Sequence, residues 1–312
     1  MNNIRLQEDI EQLKKVFKES KLLFNAVIED TTNTNLWYKL AKQYEKEESY
    51  EKAEWAYQNL IDRKENFDGN LYFLLGHILV LQNKQEKASF AFKEQRTMQD
   101  AHGMIETLYY KDTGLKKVID YTEYYERYTL DEKTILYESY HGSSISCNPY
   151  AIFKSLLIDK RFKDYKHIWV INNKDKIPKE FKNDINIIFI KRNCDLYMRY
   201  LAKAKYLINN VTFPEYFIRK KGQVYLNTWH GTPIKSLGKD IKDDFMAHKN
   251  VTRNFLQASH LIQPNPYTTD ILLDRYDIKN IFSGLVAETG YPRQDLMLNI
   301  TENEKILLKE KT

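Results

Sequence analysis

Cysteine is almost absent from this chain: Cys147 and Cys194 are the only two in 312 residues. That excludes a disulfide framework and a cysteine-based zinc site. No apolar run approaches the ~20 residues needed to span a bilayer. The N-terminus, MNNIRLQEDIEQLKKVF, is charged throughout and lacks the apolar core of a secretory leader. Together these absences predict a cytosolic chain. His-Glu-x-x-His and Asp-x-Asp are both missing, which argues against a zinc hydrolase and against a metal-dependent nucleotide-sugar site of that type, so no metal is expected. Gly-x-Gly-x-x-Gly is missing too, and with it a dinucleotide fingerprint. Gly231–Lys239 is not a P-loop, because six residues separate Gly231 from Gly238 and Asp240 stands where Ser or Thr is required. The net charge of +5 suits contact with an anionic membrane face, but 48 basic residues are diluted by 43 acidic ones, and no nucleic-acid partner is expected.

What is present changes character near residue 130. Before it there is no proline and little glycine, and the pattern is helical almost everywhere. Trp37, Leu40, Ala41, Tyr44, Ala53 and Tyr57 recur, each 35 positions later, as Tyr72, Leu75, Gly76, Leu79, Ala88 and Phe92. Small residues let two helices approach and aromatics fill the space between them, a spacing that resembles the ~34-residue tetratricopeptide unit. A generic helical bundle is the alternative. Flanking helices around 5–29 and 104–128 are expected to cap the stack. After residue 130, short apolar runs alternate with helical segments. Strands are predicted at Thr134–Tyr140, His167–Ile171, Ile185–Ile190, Tyr206–Asn210, Gln223–His230 and His260–Gln263. Helices are predicted at Asn148–Asp159, Cys194–Lys205, Asp244–Ala258 and Pro266–Tyr276. Alternation of this kind implies a parallel sheet covered on both faces. The fold class is therefore α followed by α/β: a tetratricopeptide-like helical repeat module over 1–130, then a Rossmann-like parallel-sheet domain over 131–300.

The most informative stretch is Gln223–Lys235, QVYLNTWHGTPIK. It reads as a strand ending at His230, with Gly231 permitting a tight turn and Pro233 presetting the first turn of a helix. His230 would then stand at the carboxyl end of a strand beside a helix N-terminus, where open α/β sheets bind ligands and anions are favoured. An imidazole can take a proton from an alcohol, and Lys235 with the turn amides of Gly231 and Thr232 can bind phosphate. A histidine that merely caps a strand is the alternative. The loop His141–Pro149 offers Gly142 for close backbone approach, the hydroxyls of Ser143 and Ser144, and Asn148 at a helix start. It reads either as a holder of a phosphate or sugar hydroxyl or as an ordinary polar strand–helix loop. His248 and His260 read as surface or capping residues, and Cys147 as a structural thiol.

Several segments occur in order: Tyr137-Glu-Ser-Tyr-His-Gly142, Cys147-Asn-Pro149, Trp229-His-Gly-Thr-Pro233 with Lys235 and Asp240, Pro264-Asn-Pro-Tyr267, and Thr289-Gly-Tyr-Pro-Arg293 with Asp295. This set resembles the CDP-glycerol glycerophosphotransferase family, the teichoic-acid primases and polymerases, over about 134–300. The resemblance implies a GT-B-like enzyme of two Rossmann-like domains. It implies transfer of glycerol phosphate, or ribitol phosphate, from CDP-glycerol or CDP-ribitol to the hydroxyl of a lipid-linked wall or capsule polymer, with release of CMP and no cofactor. His230 matches the family's proposed catalytic base. The family's second, donor-binding domain follows the Gly-Tyr-Pro-Arg segment and carries a second histidine motif. No such motif stands here, so 301–312 is expected to begin a linker and the chain to be the acceptor-side half of a longer enzyme. The helical module is expected to bind a protein partner or lie near the membrane, which places the chain at the inner face of the cell membrane as a peripheral protein. Two rival readings remain open: a non-catalytic adaptor that binds partner and polymer without turnover, and a nucleotide-sugar glycosyltransferase of the same architecture.

Overall fold

The computed structural model describes residues 19–104, 113–242, 246 and 248–300. By packing the chain divides into two compact units, the first comprising Met1–Lys117 with Ile177–Phe189 and Cys194–Leu196, the second the remainder.

The first unit is built on two helical hairpins: α1 (Thr34–Lys46) with α2 (Tyr50–Ile61), and α3 (Gly69–Leu81) with α4 (Gln85–Met104). A further helical segment covers 19–29. The Asn33 side chain caps α1 by accepting from the amides of Asn35 and Leu36, and Asp68 caps α3 by accepting from Asn70. The repeat positions read from the sequence form one core: Trp37, Leu40, Ala41, Ala53 and Tyr57 are fully buried, and Leu75, Leu79 and Ala88 nearly so. A Cβ on Gly76 would lie 2.6 Å from the Phe92 ring, so the small residue is what lets α3 and α4 close up. The inter-helix turns repeat at the same offset. Glu48 and Asn83 each take a left-handed φ, and Ser49 N donates to Tyr44 O as Lys84 N does to Leu79 O. The segment before β3 joins this unit, with Arg63 donating to Ile185 O at 2.8 Å and Thr31 Oγ1 to Lys182 O at 2.7 Å. Part of the expected flanking helices at 5–29 and 104–128 lies outside the described residues; within 104–128, α5 spans Thr113–Arg127.

The rest of the described chain builds a parallel α/β sheet, most of it in the second unit, with Ile187–Phe189 of its edge strand assigned to the first. In chain order its elements are β1 (Asp131–Glu138), α6 (Cys147–Ile158), β2 (Lys166–Val170), β3 (Ile187–Ile190), α7 (Asp195–Lys203), β4 (Ala204–Asn209), β5 (Val224–Asn227), α8 (Lys249–Gln257), β6 (His260–Gln263), α9 (Pro266–Arg275), β7 (Leu285–Glu288) and α10 (Pro292–Leu298). The seven strands run in the order β3-β2-β1-β4-β5-β6-β7. The pairings β1–β2, β1–β4, β4–β5, β5–β6 and β6–β7 are all parallel. Winding therefore reverses between β1 and β4, and the loops that leave their carboxyl ends diverge to opposite faces, opening a crevice at that point. β3 is an unbroken apolar run buried throughout, and β1, β2 and β4 bury apolar stretches at Ile135–Tyr137, Ile168–Val170 and Leu207–Ile208, as covered strands do.

Two expectations fail around His230. β5 stops at Asn227, three residues short of the histidine, and Pro233 starts no helix: 231–237 is irregular and ends in a 3-10 turn at Gly238–Asp240. The turn is made by Trp229, which adopts φ 48°, while Gly231 stays out of the left-handed region. A proline sets one dihedral, but Ile234 is 90 % exposed, and an amphipathic helix here would have nothing to bury. Beyond the strands and helices expected, the sheet gains the short edge strand β7 and the seven-residue α10, both too brief to carry a period.

Gly238 is where the loop meets α9. It has φ +52°, and a Cβ there would stand 1.8 Å from the Arg275 carbonyl oxygen. We predict that Gly238→Ala lowers stability by about 1–3 kcal/mol, since the clash is with backbone and the φ is unfavourable for any L side chain. Urea unfolding should show a reduced midpoint at unchanged m-value; an unaltered midpoint would contradict this packing.

Candidate functional site

Four segments meet at the reversal point of the sheet: the loop after β1, the N-terminus of α6, the residues after β4, and the turn after β5. Asparagines build the floor. The Asn227 side-chain amide donates to Asn209 Oδ1 at 2.9 Å and to Val211 O at 2.8 Å, and its Oδ1 accepts from Trp229 N at 2.9 Å. The buried Tyr225 hydroxyl donates to Asn209 Oδ1 at 3.1 Å. Thr228 N donates to Asn209 O at 2.9 Å, so the chain past the strand is tied down before it turns at Trp229. These bonds fix the oxygen side of Asn209, while its buried Nδ2 has no hydrogen-bond partner among the described residues.

On that floor stands His230, half-buried. Its Nδ1 lies 2.8 Å from the Asn210 carbonyl oxygen. A carbonyl only accepts, so Nδ1 carries the proton and the lone pair sits on Nε2. The Tyr140 ring meets the imidazole edge-on at 5.9 Å, and Tyr140 N donates to Asn210 Oδ1 at 2.9 Å, joining the loops after β1 and β4 across the crevice. Burial, with help from the charges of Arg293 and His141, brings the His230 imidazole below its ordinary 6.5, against the opposing pull of the Asn210 carbonyl. At neutral pH the ring is thus an uncharged proton acceptor.

The helix N-terminus beside His230 is that of α6. Cys147 opens it with φ 63°, and its sulfur accepts from the Tyr140 hydroxyl and from Arg293 Nη1, both at 3.3 Å. Burial alone would raise the thiol, but the donors Tyr140, Asn210 and Arg293 outweigh it and lower its pKa. Burial and the neighbouring sulfur push Tyr140 up to about 12. Arg293 Nη1 also donates to the His230 carbonyl at 2.8 Å, and Arg293 N to Asn148 Oδ1 at 3.2 Å. To one side, the fully buried Glu138 is paired with Arg192 at 2.9 Å and accepts from Tyr197 at 2.7 Å, with His141 Nδ1 at 3.8 Å.

The residues singled out by sequence fall into three groups. His230 and Gly231 lie at the crevice. Thr232 and Lys235 are exposed on the irregular segment, and among the described residues no hydrogen bond or ion pair links Lys235 to the shell of His230. In the β1–α6 loop, Gly142 (φ +77°) is buried, and a Cβ would come within 3.1 Å of the Asn172 side chain, so its role is close packing. Ser143 is exposed and its carbonyl accepts from Lys176; Ser144 Oγ lies 2.7 Å from Ser146 Oγ. Asn148, expected to line an acceptor path, is fully buried: its Nδ2 donates to Thr228 O (3.3 Å) and Trp229 O (3.1 Å), and its Oδ1 is used by Arg293. It is a brace between α6 and the histidine turn. Sequence reasoning left Tyr140, His141, Asn210 and Arg293 out of the site. The polar pair Asn209-Asn210, closing an apolar strand, is the signal that could have found one of them. Among the described residues no group of His, Cys, Asp and Glu could hold a metal ion.

The family model for CDP-glycerol:poly(glycerophosphate) glycerophosphotransferase matches residues 121–312, more than half of the chain. The chain belongs to this family. It is 35 % identical over 189 residues to the teichoic acid poly(glycerol phosphate) polymerase of Bacillus spizizenii, an alignment covering 58 % of this chain and 46 % of that protein. It is 29 % identical over 193 residues to the teichoic acid glycerol-phosphate transferase of Staphylococcus aureus, covering 58 % and 47 %. The solved wall teichoic acid polymerase TagF superposes with a TM-score of 0.52 at 28 % identity, over 64 % of this chain and 49 % of that one. The chain therefore matches less than half the length of these curated relatives.

The brace is testable. Asn148→Ala should cost about 1–3 kcal/mol, because it removes the side-chain donor of the buried Thr228 carbonyl and the acceptor of the Arg293 amide, while the Trp229 carbonyl keeps only the Thr228 hydroxyl. Urea denaturation measures this; a cost near zero would mean that the amide is not bridging the two segments.

Proposed function

We propose that this chain supplies the acceptor-side half of an alditol-phosphate transferase, with His230 as its general base. In this reading 131–300 is the first Rossmann-like domain of a GT-B-like enzyme, and residues 301–312, outside the described residues, lead toward a donor domain. The helical hairpins over 1–130 form a tetratricopeptide-like module that engages a protein partner. The donor is CDP-glycerol or CDP-ribitol, and the acceptor is the terminal hydroxyl of a lipid-linked teichoic-acid-type polymer at the inner face of the membrane. Among the described residues no helix is long and apolar enough to cross a membrane, so contact would be peripheral.

One observation carries the reading: a neutral imidazole whose Nδ1 proton is committed to the Asn210 carbonyl, leaving Nε2 as the acceptor at the switch point of the sheet. The acceptor hydroxyl gives its proton to Nε2 as its oxygen attacks the β-phosphorus of the CDP-alditol. The bond from that phosphorus to the bridging oxygen breaks, and CMP leaves with the electron pair. In this reading Gly231, Thr232 and Lys235 meet phosphate oxygens, and Ser143 and Ser144 serve the acceptor. Charge on the transferred phosphoryl must be balanced, and the donor half would provide most of that.

General-base assistance contributes about 10²–10⁴-fold. His230→Ala in the enzyme carrying the donor half should reduce CMP release by that order, with no loss of fold by circular dichroism. The acid limb of kcat/KM should fall below pH 6.5, because base function is lost only as pH drops through a lowered imidazole pKa. Near-normal turnover by the alanine variant would remove His230 from the chemistry. Titrating this chain with polymer and with CDP-glycerol separates a half-enzyme or adaptor, which binds polymer alone, from a chain that binds both.

A further inference from the structure

Arg293 reaches the site from outside the residues read as functional. It is the second residue of α10, more than sixty positions after His230, and it makes three different attachments within one side chain and amide. Nη1 donates to the His230 carbonyl at 2.8 Å and to Cys147 Sγ at 3.3 Å, while the backbone N donates to Asn148 Oδ1 at 3.2 Å. The guanidinium also lies over the Tyr291 ring at 4.9 Å. Asn148 in turn holds the carbonyls of Thr228 and Trp229. The three successive carbonyls of residues 228–230 are thus all capped by the α6–Arg293 pair. They follow Asn227, where the sheet ladder ends, and include Trp229 with its left-handed φ. A stretch in this unfavourable conformation persists only when its surroundings hold it.

We propose that Arg293 is the positioning residue for His230: by clamping the peptide carbonyl of the histidine to the start of α6, it sets the direction in which Nε2 faces the crevice. A lysine is a poor substitute, since its ammonium is a point charge on a flexible stem, whereas the Arg293 guanidinium lies over the Tyr291 ring and that stacking fixes where Nη1 points. The clamp has a second effect. A fixed positive charge near the imidazole disfavours its protonation. The titratable and charged groups around His230 are His141 and Tyr140 from the loop after β1, Cys147 from α6, and Arg293 from α10; of these, Arg293 and His141 oppose a proton on the ring. Clamp and charge act in the same sense, toward a rigid, neutral base. The inference deepens the reading of His230 as general base and rests on it for its catalytic meaning, but not for its structural content.

The test combines a spectroscopic and a kinetic arm. In this chain, the His230 imidazole is followed by NMR through its Cε1–H titration and its low-field Nδ1–H proton, which is held by the Asn210 carbonyl. In Arg293→Gln, the titration midpoint should move to higher pH, because burial and His141 remain while the fixed charge is gone. In Arg293→Lys, the midpoint should stay near that of the wild type. In both variants the Nδ1–H proton should exchange faster with water. In the enzyme carrying the donor half, Arg293→Lys should lose about 10²-fold in kcat with little change in KM, the scale expected when a reacting group is misplaced by an ångström. An unmoved midpoint in Arg293→Gln, or wild-type Nδ1–H exchange and turnover in Arg293→Lys, would overturn the proposal. Should Arg293→Gln fail to fold, the exchange and turnover of Arg293→Lys decide. Should His230→Ala retain turnover, the base assignment falls, while the NMR arm still judges the clamp.

Discussion

The contact on which the site depends is the hydrogen bond from His230 Nδ1 to the Asn210 carbonyl. A backbone carbonyl cannot donate, so this one acceptor fixes the tautomer and leaves Nε2 unprotonated and outward. The same peptide unit belongs to the turn leaving β4, next to the strand at which sheet winding reverses. The imidazole is therefore tied not to a mobile side chain but to the frame of the sheet. Asn210 Oδ1 also accepts from the Tyr140 amide, so the two loops that diverge at the crevice are held at a common residue.

Around that contact the structure spends buried amides rather than buried charge. Asn148, Asn209, Asn227 and Asn254 are all fully buried, and they carry the polar burden beneath the histidine turn. A carboxylate in their place would have raised the pKa of His230 and favoured imidazolium. Neutral amides give fixed dipoles and fixed geometry without that effect. The one buried carboxylate nearby, Glu138, is matched by Arg192 and Tyr197, so its charge is balanced locally. Burial lowers the His230 imidazole, the Arg293 guanidinium adds to it, and the same guanidinium donates to Cys147 and helps lower that thiol.

The chain belongs to the glycerophosphotransferase family. The apolar residues of the helical hairpins form one buried cluster, and those of the sheet are buried as well. Exposed Ile234, Met297 and Leu298 are apolar side chains on the segments that follow the histidine turn and the last strand.

Much was legible in residue order alone. The 35-residue recurrence of Trp37–Tyr57 in Tyr72–Phe92 was readable because helical packing selects size at fixed spacing, and the buried strands were readable because their covered portions are short apolar stretches. The motif around His230 was readable because its residue types are chemically specific. Element ends and the site's second layer were not. Nothing local announces that Trp229 rather than Gly231 makes the turn, that Pro233 begins no helix, or that Asn148 faces inward. Those outcomes were decided by contacts between segments tens of residues apart: Asn209 with Thr228, Asn148 with Trp229, and Arg293 with His230. A sequence displays which side chains are available; only the closed sheet, which brings the carboxyl ends of β1, β4 and β5 together, determines which carbonyl each donor finds.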